Sequence, residues 1–247
     1  TEGIVAWAVG YSGRDRDRVD QAFYLAYPKP VTEPNEVEGA KAFWLGKGIK
    51  EQKSVISYVG AVSINKIDIK PVFRAAELLK ENPDVVFVIA GEGDDKDYLI
   101  NQAEKLGLSN VCFPGWVNKH QIRYLLQNSR FGLVPLHNRE DYVAAIPNKP
   151  IEYLANNLPI LSSLSGALSG LLSKERVGYS YNNGESLVNI LIDLNESSYS
   201  ELKVNAERLF SERFHSDDVY SNFEVFLMEI AANFKKETDF RRQATVR

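Results

Sequence analysis

From position 55 onward the chain alternates short apolar runs with amphipathic stretches, and this alternation constrains the fold more than any other feature of the sequence. Val85–Ala90, VVFVIA, is apolar at every position, the pattern of a strand buried on both faces rather than one. Similar runs at 55–60, 111–113, 131–136, 159–161 and 177–179 read as further strands. Between them, 71–80, 96–106 (closed by Gly107), 121–127 and 151–156 read as helices, and the chain beyond 179 reads as helical through 234. Strands separated by single helices imply right-handed crossovers and a parallel sheet covered on both sides, a doubly wound, Rossmann-like α/β domain. In that architecture ligands sit beyond the carboxyl ends of the strands, where strand order reverses. The loops at Gly60, Gly91, Gly115 and His137, and a helix mouth at Pro147, all fall on that edge.

The first fifty residues do not share the alternation. A short apolar run at 4–9 leads into Gly10-Tyr11-Ser12-Gly13 and the alternating charges Arg14 to Arg18, a solvated helix face or turn. PKPVTEPNEVE at 28–38 carries three prolines among acids and reads as a linker, so the chain divides into 1–30, a linker at 31–53 and a domain at 54–247. At 247 residues with 44% hydrophobic and 25% charged, the chain is globular and can hold one large core. Its single cysteine, Cys112, expected packed at a strand end, excludes an internal disulfide and Cys-rich zinc patterns and fits a reducing compartment. A net charge of −4 without a basic stripe argues against a nucleic-acid partner. No apolar run is long enough to span a bilayer, and no signal peptide is expected. Because the sequence begins at Thr1, it is expected to be a fragment or processed form. His120, His137 and His215 lack metal-ligand spacing and read as surface or turn residues, His137 being the one at a strand end near the expected site. Five Lys or Arg with two acids at 235–247 read as a frayed tail, with peripheral membrane contact left open.

The segment 146–163, IPNKPIEYLANNLPILSS, carries the most chemistry. Pro147 presets an extended approach, Asn148 can cap, and Pro150 suits a first helical turn. Lys149 and Glu152 then project from that turn. A helix N-terminus and a lysine attract anions, while a carboxylate can accept two hydroxyl hydrogen bonds, which together suit a nucleoside diphosphate with its ribose diol. The competing reading is an ordinary capped helix with solvated charges. Gly91 and Gly93 allow either close approach by a ligand or a tight turn, and the third glycine of a dinucleotide fingerprint is absent, which disfavours a nicotinamide oxidoreductase. Gly115-Trp116-Val117 ends a strand unit where backbone groups could read the edge of a flat base and a side chain could cover its face, or where Trp116 could serve as a core lid. Lys66 lies in the loop after the first strand, either solvated or facing a phosphate.

Six segments, YVGAVS at 58, AAELL at 75, VVFVIAGEGDD at 85, LGLSNVCFPGWV at 106, FGLVPL at 131 and PNKPIEYLANNLPIL at 147, occur in the order seen in glycosyltransferase family 4, which the chain resembles over 55–234. The resemblance is to the carboxyl-terminal, donor-binding half of a two-domain GT-B fold. FYLAYP within 1–30 is similar to the end of the acceptor-side half, and FWLGKGI to the lead-in to the second domain. It implies that Glu152 bonds the ribose hydroxyls, that Gly115 to Val117 receive the base, and that Gly91 and Gly93 let the nucleotide approach. Two positions depart from the family pattern. Ala144 stands where an acid commonly faces the donor sugar, with Glu140 and Asp141 nearby, and Ala61 stands where an arginine often binds phosphate. Lys66 and Lys149 would then hold the diphosphate. The implied activity is retaining sugar transfer from a UDP- or GDP-linked donor to a saccharide or lipid-linked acceptor, in polysaccharide or glycoconjugate synthesis. It implies no cofactor or metal and a cytoplasmic site, at most peripheral to the inner face of the membrane. No catalytic residue is assigned. A non-catalytic nucleotide-sugar sensor or degenerate scaffold is the alternative.

Overall fold

Six strands carry the architecture in a computed structural model that describes residues 2–30, 34–50 and 54–245. They are β1 (Ser54–Val59), β2 (Val85–Ala90), β3 (Val111–Gly115), β4 (Phe131–Val134), β5 (Ile160–Ser162) and β6 (Gly178–Ser180). All pair parallel, in the order β3-β2-β1-β4-β5-β6. The chain winds outward one way from β1 and then the other way from β4, so the topological switch point lies between those two strands. The helices are α1 (Glu2–Ser12), α2 (Pro34–Gly46), α3 (Lys70–Leu78), α4 (Lys96–Lys105), α5 (Lys119–Gln127), α6 (Glu140–Val143), α7 (Asn148–Ala155), α8 (Ala167–Glu175), α9 (Gly184–Asp193), α10 (Glu196–Arg213) and α11 (Ser216–Thr245).

The uninterrupted apolar run of β2 has the role expected of it. Because side chains alternate across a strand, Val86, Val88 and Ala90 enter the core beneath α2, α5, α7, α8 and α10. Val85, Phe87 and Ile89 enter the opposite core beneath α3, α4 and α9. α3 begins with Pro71 in its first turn, where a missing N–H costs nothing, and buries Val72, Phe73, Ala75 and Ala76. α5 is started by a reciprocal capping box between Asn118 and Gln121.

Several segments differ from the sequence reading. The stretch expected to be linker forms α2, and 31–33 and 51–53 of that stretch lie outside the described residues. Its prolines stop at the helix start, Glu36 sits favourably in the first turn, and Ala40 and Trp44 form the buried stripe. Trp44 is fully buried and its indole N–H donates to the Gln121 carbonyl at 2.8 Å. The apolar run at 4–9 lies in α1, α8 occupies a region where no element was expected, and the helical end resolves into α9, α10 and α11. The side chains of 235–245 and all of 246–247, the expected basic tail, lie outside the described residues. Among the described residues, no helix is long and apolar enough to cross a membrane.

The last helix packs back against residues 1–30. Phe23 packs against Phe223 and Phe226, with ring centroids 5.0 and 5.1 Å away. Beside it the irregular strap that follows α1, residues 13–30, is pinned at Tyr27, whose N–H donates to the Phe214 carbonyl (3.0 Å) and whose carbonyl accepts from the Ser216 N–H (3.2 Å). The strap is thereby tied to the turn between α10 and α11.

Candidate functional site

α7 is anchored on the switch point by Tyr153. This fully buried side chain donates its hydroxyl to the Leu133 carbonyl in β4 (3.0 Å) and accepts from the Val59 N–H in β1 (3.4 Å), bridging the two strands where their connections diverge. Its ring lies over Gly132, where any Cβ would stand 2.4 Å from the ring. The register of α7 thus follows from one tyrosine on the helix and one glycine in the strand below it.

The mouth of α7 differs in detail from the sequence expectation. Pro147 has the extended conformation anticipated for it (φ −61°, ψ 164°) and is itself the residue at the cap position. Asn148 is already helical and makes no side-chain cap, a correction to its assigned role. The apolar proline leaves the first-turn N–H groups without a side-chain acceptor, which keeps the positive end of the helix open to an anion. Pro150 is buried in the first turn, as expected. Glu152 is only 8% exposed. Its Oε2 pairs with the Lys149 ammonium at 2.6 Å, and its Oε1 accepts from the Tyr27 hydroxyl at 3.1 Å. The Lys149 side chain remains 37% exposed, so its charge reaches the open side of the pair. Burial, and then the Glu152 charge, push the Tyr27 phenol up to about 12, which keeps it a protonated donor at neutral pH. A carboxylate this buried is stable only because both oxygens are satisfied, so the solvated-charge reading of Glu152 does not hold.

A second cluster forms on the other side of the switch point, at the ends of β1, β2 and β3. Gly91 has φ +137°, donates its N–H to the Gly115 carbonyl (2.9 Å), and leaves room for a Cβ only 1.9 Å from the Gly60 carbonyl oxygen. At Gly93 a Cβ would stand 2.1 Å from the Val62 carbonyl oxygen. The close approach these glycines permit is therefore made by the chain's own β1 loop. Gly115 has φ +79° and lies beneath the Glu92 carboxylate, whose Oε1 accepts from the Trp116 N–H (2.9 Å) and whose Oε2 pairs with Lys96 (2.6 Å). The Lys96 hydrogen bond, and next the Trp116 N–H, hold the Glu92 carboxyl below its ordinary value. Trp116 is 70% exposed, so it is no core lid, whereas Val117 is buried and offers a ligand only its backbone. Lys66 is exposed, and its loop is tied to the end of β4 by the His137 N–H donating to the Lys66 carbonyl (3.2 Å) and by His137 Nε2 to the Ile64 carbonyl (2.8 Å).

The two departures have local explanations. Tyr58 curls beneath Gly60 and donates its hydroxyl to the Ala61 carbonyl at 2.9 Å, so Ala61 lies at the start of a loop braced by a phenol that burial pushes up to about 12. Ala144 closes α6 and packs against α1, where a Cβ on Gly3 would stand 2.6 Å from its carbonyl oxygen. Asp141 is exposed and pairs with Arg139 at 3.1 Å, whose guanidinium lies over the Tyr142 ring. His120 proves half-buried and pairs with Glu36 of α2 at 2.8 Å, and His215 sits in the turn before α11. Among the described residues no group of three or more His, Cys, Asp or Glu is arranged to hold a metal ion.

Three contributors escaped the sequence reading. Tyr27 lies 125 positions from Glu152 and no local signal links them. Tyr153 could have been suspected from a glycine inside an otherwise bulky strand at 131–134. Glu92 was hidden between two glycines that drew attention to the backbone.

Residues 45–208 match the family model described as glycosyl transferases group 1. Among curated relatives, the chain is 27% identical over 129 residues to the uncharacterized glycosyltransferase MJ1607 of Methanocaldococcus jannaschii, covering 52% of this chain and 32% of that protein. It is 28% identical over 150 residues to the O-antigen chain mannosyltransferase C of Escherichia coli, covering 58% of this chain and 40% of that one. Among solved structures, Anabaena Alr3699/HepE in complex with UDP superposes with a TM-score of 0.67 at 17% identity, over 85% of this chain and 57% of that one. The chain thus spans less than two thirds of the length of each of these three proteins.

Proposed function

Because the chain belongs to the glycosyl transferases group 1 family, we propose that it is the donor-binding part of a retaining family 4 enzyme that takes a sugar from a UDP- or GDP-linked donor. The observation carrying this reading is the buried Glu152 carboxylate at the switch point, held 2.6 Å from Lys149 at the uncapped mouth of α7. In this reading Glu152 receives the ribose diol, and Lys149 with the α7 N-terminus takes the diphosphate. The Lys149 cation and the helix dipole then act where charge develops on the leaving group, without a metal or cofactor. The backbone of Gly115 to Val117 meets the base edge, and the exposed Trp116 ring is available for its face. Lys66 would reach the phosphates only from its exposed loop. The UDP bound to the Anabaena protein supports a nucleoside diphosphate here. The acceptor, a saccharide or lipid-linked saccharide, is assigned to the rest of the enzyme.

Calorimetric titration with UDP, GDP and NAD tests the reading. Binding of UDP or GDP that Glu152→Gln weakens by about 1 to 3 kcal/mol is expected, the range for a hydrogen bond to a charged group. A preference for NAD, or unchanged affinity in the variant, would sink it. A second reading, nucleotide-sugar sensing without transfer, is favoured by Ala144, which offers no carboxylate to the donor sugar and is covered by α1. Nucleotide binding without turnover in the full-length protein would establish it.

A further inference from the structure

We propose that Tyr27 is a positioning residue of the donor site, its hydroxyl fixing the Glu152 carboxylate in the orientation that receives the ribose diol. The inference rests on the reading of Glu152 given above. An ionised carboxylate offers about four lone-pair positions. Lys149 takes one on Oε2 at 2.6 Å and Tyr27 one on Oε1 at 3.1 Å, which leaves one on each oxygen, the number a vicinal diol needs. The two donors on opposite oxygens also stop the carboxylate rotating, so a single orientation awaits the ribose.

Tyr27 is itself held firmly enough to do this. Its N–H and carbonyl are both bonded to the α10–α11 turn, at Phe214 and Ser216. Ala26 beside it is buried, Tyr24 packs edge-on against the buried Phe214 at 5.1 Å, and Phe23 lies against Phe223 and Phe226. The strap therefore connects α11 mechanically to the carboxylate.

The test compares the unaltered chain with Tyr27→Phe, Glu152→Gln and the double variant, using UDP, GDP and their 2′,3′-dideoxy forms in calorimetry. Tyr27→Phe keeps the ring and its packing while removing only the hydroxyl, and circular dichroism with thermal melting checks the fold. Weakening of the ribonucleotide by about threefold to tenfold is expected, the usual worth of one hydrogen bond. Affinity for the dideoxy form should not change, and Tyr27→Phe should add nothing in the Glu152→Gln background. Equal losses for both ligands would reduce Tyr27 to a packing role, and tighter ribonucleotide binding would make it a competitor of the diol; either overturns the proposal. Loss in Glu152→Gln with none in Tyr27→Phe overturns this inference alone. Failure of UDP and GDP to bind the unaltered chain overturns it together with the donor-site reading.

Discussion

Lys149 and Glu152 face each other across one helical turn, yet they are expected to act on different parts of a ligand. Lys149→Ala should weaken binding of UDP far more than that of uridine, because the ammonium acts on phosphate charge. Comparable losses for both would mean that the lysine serves only to neutralise Glu152. At the neighbouring cluster, Glu92 supplies a pH prediction. Its carboxyl is held below the ordinary value of 4.5 by Lys96 and the Trp116 N–H, so the bracing is complete above that value and lost as pH falls through the lower folded value. The Trp116 amide resonance should titrate with a midpoint below 4.5 and stop titrating in Glu92→Gln. A midpoint at or above that value would show that the contact is not maintained in solution. At this scale, Lys149 and Glu152 were legible because both come from one short segment, with spacing that fixes their mutual distance. Asn148 was misassigned because capping depends on one residue's φ and ψ, and Pro147 adopts the extended conformation one position earlier. Tyr27 was invisible because only the tertiary fold brings it to Glu152.

Elements were legible in proportion to how completely their sequence pattern states their burial. β2 needs no context, since six consecutive apolar residues suit only a strand covered on both faces. α2 and α8 carry weaker statements. α2 begins among prolines and acids and its buried stripe reduces to Ala40 and Trp44, while α8 is framed by Gly166 and interrupted by Gly170, so both resemble loops until the sheet provides a surface for them. The test of α2 is Trp44→Ala. If the helix belongs to this domain, removing a fully buried indole and its hydrogen bond to the Gln121 carbonyl should lower stability by about 3 to 5 kcal/mol in urea unfolding. An unchanged midpoint would return the segment to the status of a linker. A matched test at the sheet is Gly132→Ala, whose Cβ would stand 2.4 Å from the Tyr153 ring. It should cost about 1 to 3 kcal/mol and weaken nucleotide binding too, because α7 must move to make room.

For the whole molecule, the order of strands decides what the chain can do alone. The sheet has one switch point, and the two candidate clusters lie on either side of it, so in the proposed reading the nucleotide platform lies within this chain. The elements before β1 are α1, a strap and α2, and two of these are committed to the platform, the strap through Tyr27 and α2 through Trp44. The chain also spans 57% of the Anabaena structure it superposes on. Sugar transfer requires donor and acceptor held at near-attack distance, a contribution that can reach roughly 7 to 11 kcal/mol, and a platform open on its acceptor side does not supply it. The purified 247-residue chain is therefore expected to bind UDP or GDP and to transfer no sugar when offered a panel of donors with saccharide or lipid-linked acceptors. Addition of the remainder of the enzyme, as a separate chain or in the full-length protein, should restore turnover without altering the Glu152 dependence of binding. Transfer by the 247-residue chain itself would show instead that its own elements complete an acceptor site, and the half-platform reading would be wrong.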